Sequence, residues 1–76
     1  NNIKVYPNPS KGFINIQSEN TLQTIKITNL LGDIIYTKLI NAKESTIDIS
    51  SHLPGAYIIY MQEKYKTPAI RKIILE

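Results

Sequence analysis

Few side chains in this sequence are suited to moving a proton or attacking an electrophile. His52 is the one histidine, and it lies in "SSHLPG" next to Ser50 and Ser51. A serine nucleophile needs a base brought to it across the fold and a third group to orient that base. A histidine adjacent in sequence does not supply this. The carboxylates Glu19, Asp33, Glu44, Asp48, Glu63 and Glu76 are scattered, mostly at turn signals, and match no EF-hand spacing. Glu44 and Asp48 could make a chance cation site, but solvation at a turn and an edge is the better account of them. With no cysteine and a single histidine, a zinc ligand set cannot be completed. Gly12, Gly32 and Gly55 stand 20 or more residues apart, so there is no phosphate-binding loop. The expectation is a chain with no catalytic residue, no cofactor and no metal.

Two other chemistries remain. Tyr6, Tyr36 and Tyr60 offer aromatic faces on which a sugar ring could stack, but tryptophan is absent and core or edge packing explains each of them. Lys64, Lys66, Arg71 and Lys72, with Tyr65 among them, form the densest basic stretch. A nucleic-acid patch would need such a stripe. Lysines along a sheet edge, where they discourage unwanted pairing, are the plainer reading, and no nucleic-acid partner is expected.

The elements that would carry these residues are strands. "FINIQ" puts Ile14 and Ile16 on one face and Asn15 and Gln17 on the other; "IKIT" and "TIDIS" repeat the pattern. This period of two marks strands with one wet face. Turn signals at "PNPSKG", "SEN", "NLLGD", "NAKES", "SSHLPG" and "EKYKTP" separate them. Seven strands are predicted, at about 3–6, 12–18, 23–29, 33–40, 45–49, 56–63 and 68–75. That number, order and spacing predict an all-β, seven-stranded antiparallel immunoglobulin-like sandwich with Greek-key connections. Gly32 is expected to take a positive φ between the third and fourth strands, with Asn29 satisfying backbone groups there. After the corner Leu53-Pro54-Gly55, Tyr57 is expected to bury its ring and to bond upstream backbone through its hydroxyl.

At 76 residues with 42% apolar content, the chain makes one domain, 1–76. Lacking disulfides, it must rely on a well-packed core. No apolar run reaches the length of a membrane span. The chain begins with Asn1 rather than methionine and with polar residues rather than a leader. It is therefore expected to be a piece cut from something longer, whose own export address would lie upstream.

"VYPNPSKG" is the least ordinary segment. Pro7 and Pro9 fix φ near −65° and remove two backbone donors. Tyr6 and Asn8 are pushed toward extended conformations because a proline follows each. Two readings stand side by side: a rigid exit from an edge strand, and a stiff exposed feature for a partner to recognise.

Taken in order, "VYPNPSKGFINI", "IKITNLLGDIIY", "IDISSHLPGAYIIYM" and the closing "RKIILE" resemble the C-terminal sorting domain of type IX secretion cargo, type A of the Por secretion system. The resemblance spans nearly the whole chain and implies the same sandwich fold and a secretion signal. It implies passage from the periplasm through an outer-membrane translocon, with an outer-membrane shuttle and a sortase-like peptidase as partners. The peptidase would cut before or near Asn1, and the cargo would end at the cell surface or outside. Carried over by motif, Pro7, Asn8, Pro9 and Gly12 form the first signal element and Lys72, Ile73, Ile74 and Leu75 the last. Gly32, Gly55 and Tyr57 fall in the middle motifs, which hold the fold. The alternatives are an immunoglobulin-like spacer and a carbohydrate-binding accessory module of a secreted enzyme. An exposed last strand also invites an edge-strand dimer when the domain is isolated.

Overall fold

Isoleucine supplies most of the buried side chains, and β-branched residues pack well on a pleated surface. A computed structural model describes residues 2–76 of the chain; the expected cut before or near Asn1 lies outside the described residues. It contains five strands: β1 (Ile3–Tyr6), β2 (Phe13–Asn29), β3 (Ile34–Asp48), β4 (Gly55–Glu63) and β5 (Ala69–Leu75). All four strand pairings are antiparallel. The order is β1-β2-β4-β5, with β3 on β2 as well. Among the described residues no helix is long and apolar enough to cross a membrane.

The strand count differs from the seven predicted, and the reason lies in two segments that look like turns. "SEN" and "NAKES" do not reverse the chain. Both lie inside long strands, at irregularities where the β2–β3 register shifts between Gln17 and Leu22 and again between Leu22 and Thr24. Asn41 sits at φ 46°, the left-handed conformation that asparagine tolerates. The predicted segments 12–18 and 23–29 are the two halves of β2, and 33–40 and 45–49 are the two halves of β3. An irregularity of this kind also exchanges the faces of a strand. Even-numbered Ile14, Ile16 and Leu22 are buried on one side of it and odd-numbered Ile25 and Ile27 on the other.

The bend lets one edge of β2 pair first with β1 and then with β4, while β3 follows the other edge. The single antiparallel sheet curls on itself, and both halves feed one core. Ile14, Ile16 and Ile47 of the first half join Ile25, Ile27, Tyr57, Ile59, Met61 and Ile73 of the second. Among the described residues every buried side-chain nitrogen and oxygen has a hydrogen-bond partner. In a core this small that matters, since an unpaired buried polar group costs on the order of 1–3 kcal/mol.

The two local expectations hold. Gly32 has φ 92°. The Asn29 Oδ1 accepts from the N–H groups of Leu31 and Asp33, both at 3.0 Å, which closes the β2–β3 turn. The Tyr57 ring is buried, and its hydroxyl donates to the Leu53 carbonyl four residues upstream.

Candidate functional site

The Pro-Asn-Pro arm leaves β1 and lies along the outer edge of β5. The Tyr6–Pro7 and Asn8–Pro9 peptide bonds are both cis. With no N–H on Pro7 or Pro9, the arm's bonds must come from Asn8 and Ser10. A side-chain amide carries one donor and one acceptor face, as a peptide group does. The Asn8 Nδ2 donates to the Lys72 carbonyl and its Oδ1 accepts from the Ile74 N–H, both at 3.0 Å. Asn8 thus pairs with the edge of β5 through its side chain. Ser10 continues the pairing through its backbone: its N–H donates to the Ile74 carbonyl and its carbonyl accepts from the Glu76 N–H, both at 2.8 Å. The resulting bridge between Ser10 and Leu75 is parallel.

Ser10 is the residue that sequence reasoning passed over. It is only 2% exposed. Its Oγ donates to the Phe13 carbonyl at 2.7 Å and accepts the Gly12 N–H at 3.0 Å, which fixes the turn from the arm into β2. Its place two residues before a glycine in a turn was the available signal. Gly12 has φ 130°, and a Cβ there would lie 2.4 Å from the Ser50 Cβ and 2.6 Å from the Ser50 Cα. Its carbonyl accepts the Ile49 N–H at 2.8 Å. Glycine is required at position 12 for both conformation and space.

The structure therefore brings the two ends of the chain together. Asn8 touches Lys72 and Ile74, and Ser10 touches Ile74 and Leu75. The closing residues divide by face: Ile73 and Leu75 are buried, Lys72 is exposed and Ile74 is half-buried. Gly55 and Tyr57 also belong to this neighbourhood, because they stand opposite Leu75 and Ile73 in the β4–β5 ladder. Gly32 does not; it lies in the β2–β3 turn.

The other candidates do not converge. Tyr36 stands opposite Ile27 and packs against the core, Tyr60 lies on the outer face beneath the Lys26 ammonium at 4.5 Å, and Tyr6 is on the other half of the sheet opposite Asn15. They share no platform for a sugar ring. The Ser50 hydroxyl and N–H both donate to Asp48, so the serine is engaged away from His52. Those two bonds, the hydroxyl's first, hold the exposed Asp48 carboxyl below the ordinary aspartate range. Among the described residues no group of three or more histidines and carboxylates is placed to hold a metal ion. In the basic stretch, Lys66 pairs with the buried Glu63 at 3.7 Å and Lys64 lies over Tyr65 at 5.1 Å.

The structure is an all-β antiparallel domain whose most constructed feature is a peptide arm bonded to β5. The chain belongs to the secretion system C-terminal sorting domain family, whose model matches residues 4–76. This is the sorting domain of type IX secretion, a signal rather than an enzyme family. The domain takes part in secretion by the type IX machinery and marks its bearer for export to the cell surface or the extracellular space. No curated protein matches the chain.

Proposed function

We propose that the arm and β5 together form the recognised part of this sorting signal. The folded domain would be read at the outer-membrane translocon and its shuttle, and a sortase-like peptidase would then cut it from an N-terminally fused cargo. The observation that carries this reading is the pair of bonds from the Asn8 side chain to Lys72 and Ile74. They make one ledge from Pro7, Asn8, Pro9 and the outward half of the final strand, the two segments that the family resemblance nominates as signal elements. Gly12 sets the turn that returns the chain from that ledge. Ile73 and Leu75 hold the strand down from beneath, with Gly55 and Tyr57 opposite them. We also read the curled sheet as an immunoglobulin-like sandwich in which β2 and β3 each serve both layers. The shared core of the two halves supports this.

The test is a transplant. Residues 1 to 76 are fused behind a signal peptide and a fluorescent reporter in a host with the type IX machinery. Delivery of the reporter to the surface and release of the domain from it support the reading. Retention of the intact fusion in the periplasm supports a passive spacer instead. Deleting residues 72 to 76 should also strand the reporter. Because that deletion removes the buried Ile73 and Leu75, point variants on the exposed side are needed to separate a lost address from a lost fold.

A further inference from the structure

The two outer faces of the curled sheet differ in kind. Residues directly opposite in a ladder share a face. On the first half, Lys4 is opposite Gln17, Asn15 opposite Tyr6 and Thr46, Gln17 opposite Glu44, and Phe13 opposite Asp48, giving a surface of polar groups and both signs of charge with two exposed aromatics among them. On the second half, Lys26 is opposite Tyr60 and Tyr60 opposite Ile70; Thr28 is opposite Ile58 and Ile58 opposite Lys72; Ala56 is opposite Ile74. An antiparallel sheet with a solvated face alternates apolar with polar residues. β4 and β5 depart from this: Ala56, Ile58, Tyr60, Ile70 and Ile74 put apolar side chains at outward positions, and Ile70 is 55% exposed. The only charges at these outward positions of β2, β4 and β5 are Lys26 and Lys72.

The adjoining edge is open. The N–H and carbonyl of Ile74 point away from β4, since they bond the arm. Alternation along the strand aims those of Lys72 and Ile70 the same way. The Lys72 carbonyl is taken by Asn8, and the Ile70 carbonyl by the neighbouring Arg71 guanidinium at 3.2 Å. Among the described residues no partner from outside the β4–β5 ladder reaches the N–H of Ile70 or of Lys72. The arm thus closes the last part of the edge and leaves the part before it free.

We propose that this surface docks an extended, acidic segment of another protein that carries apolar side chains at alternate positions. The segment adds as a strand along residues 69–72. Its backbone carbonyls take up the Ile70 and Lys72 N–H groups, an apolar side chain covers Ile70 beside Tyr60, and a carboxylate meets Lys72. Two observations select this occupant: outward donors on a strand edge call for a strand, and an outer face with cations and no carboxylate calls for negative charge. The proposal names the chemistry of a partner for the sorting signal and rests on that reading only for its setting. Its test uses the chain alone, so it fails or succeeds separately from the export experiment.

The probe is a capped heptapeptide alternating glutamate and valine, titrated into the 15N-labelled chain and followed by amide NMR. Companion titrations use the lysine–valine peptide and vesicles of zwitterionic lipid with and without anionic lipid. The expected result is saturable shifts centred on the amides of Ile70 and Lys72, with slowed exchange of both. Lys72→Glu and Ile70→Thr, both at exposed positions, each weaken the glutamate–valine peptide at least tenfold, and Lys4→Glu leaves it unchanged. Equal binding of the lysine peptide, shifts centred elsewhere, or no saturable binding would overturn the proposal. So would anionic vesicles shifting these amides while the peptide does not, because the face would then serve a lipid surface.

Discussion

Replacing Asn8 by alanine removes both bonds that its side chain makes to β5 while leaving the prolines and the Ser10 backbone pairing in place. Each lost neutral hydrogen bond is worth about 0.5–1.5 kcal/mol net. The site is exposed, so water can reach the freed Lys72 carbonyl and Ile74 N–H, and the loss falls in the lower part of the combined range, about 1–2 kcal/mol. For a domain of 76 residues, about 1 kcal/mol moves Tm by roughly 4–8 °C, which places the Asn8→Ala midpoint roughly 4–16 °C below that of the parent chain. Urea unfolding measures the free energy, and amide exchange localises it. Exchange of the Ile74 N–H should accelerate first, because Asn8 Oδ1 is its acceptor, while the Ile59 and Ile73 amides slow or quicken only with global stability. An Asn8→Ala chain with unchanged stability and unchanged Ile74 exchange would refute the claim that this side chain anchors the arm.

The remaining predictions are local. Gly12→Ala combines a positive φ, about 1–3 kcal/mol for a non-glycine residue, with overpacking against Ser50, about another 1–3 kcal/mol; the chain should lose most of its stability, and a cooperative denaturant transition near the parent midpoint would contradict this. Tyr57→Phe removes the bond to the Leu53 carbonyl but keeps the buried ring, so it should cost about 1 kcal/mol in urea unfolding, since the exposed Leu53 can take water instead. Asp48 should titrate below the ordinary aspartate range when followed by carboxyl NMR. Its folded pKa is depressed, so the stability it contributes is present above the unfolded value and is lost as pH falls through the folded one; Asp48→Asn should flatten that acid limb, and a normal or raised midpoint would contradict the Ser50 bonds.

What could be read from the sequence was local, and what could not was decided by distant pairing. Tyr57 was legible because the corner Leu53-Pro54-Gly55 and the strand after it lie within a few residues. Gly32 and Asn29 were legible for the same reason. "SEN" and "NAKES" misled because polar and asparagine-rich stretches serve both for reversals and for irregularities within a strand. The choice between the two depends on β2 finding β1 and β4 in succession along one edge, which no window of residues reveals. The stiffness of the arm followed from Pro7 and Pro9. The bonds that hold it did not, since the Asn8 side chain meets its partners 64 and 66 residues away. The apolar outer face had a visible signal in "AYIIYM", where Tyr57, Ile59 and Met61 share one side and Ile58 and Tyr60 the other. Which of those sides lacks a cover depends on how the sheet curls.

We propose that the outward ledge of arm and terminal strand is what the export machinery reads. Surface delivery of a reporter fused to the chain, compared between Lys72→Glu on that ledge and Lys4→Glu on the opposite face, tests it most directly. Both residues are exposed, so both variants should stay folded. Lys72→Glu should leave a folded fusion in the periplasm, while Lys4→Glu should reach the surface as the parent does. Equal delivery of the two would contradict it.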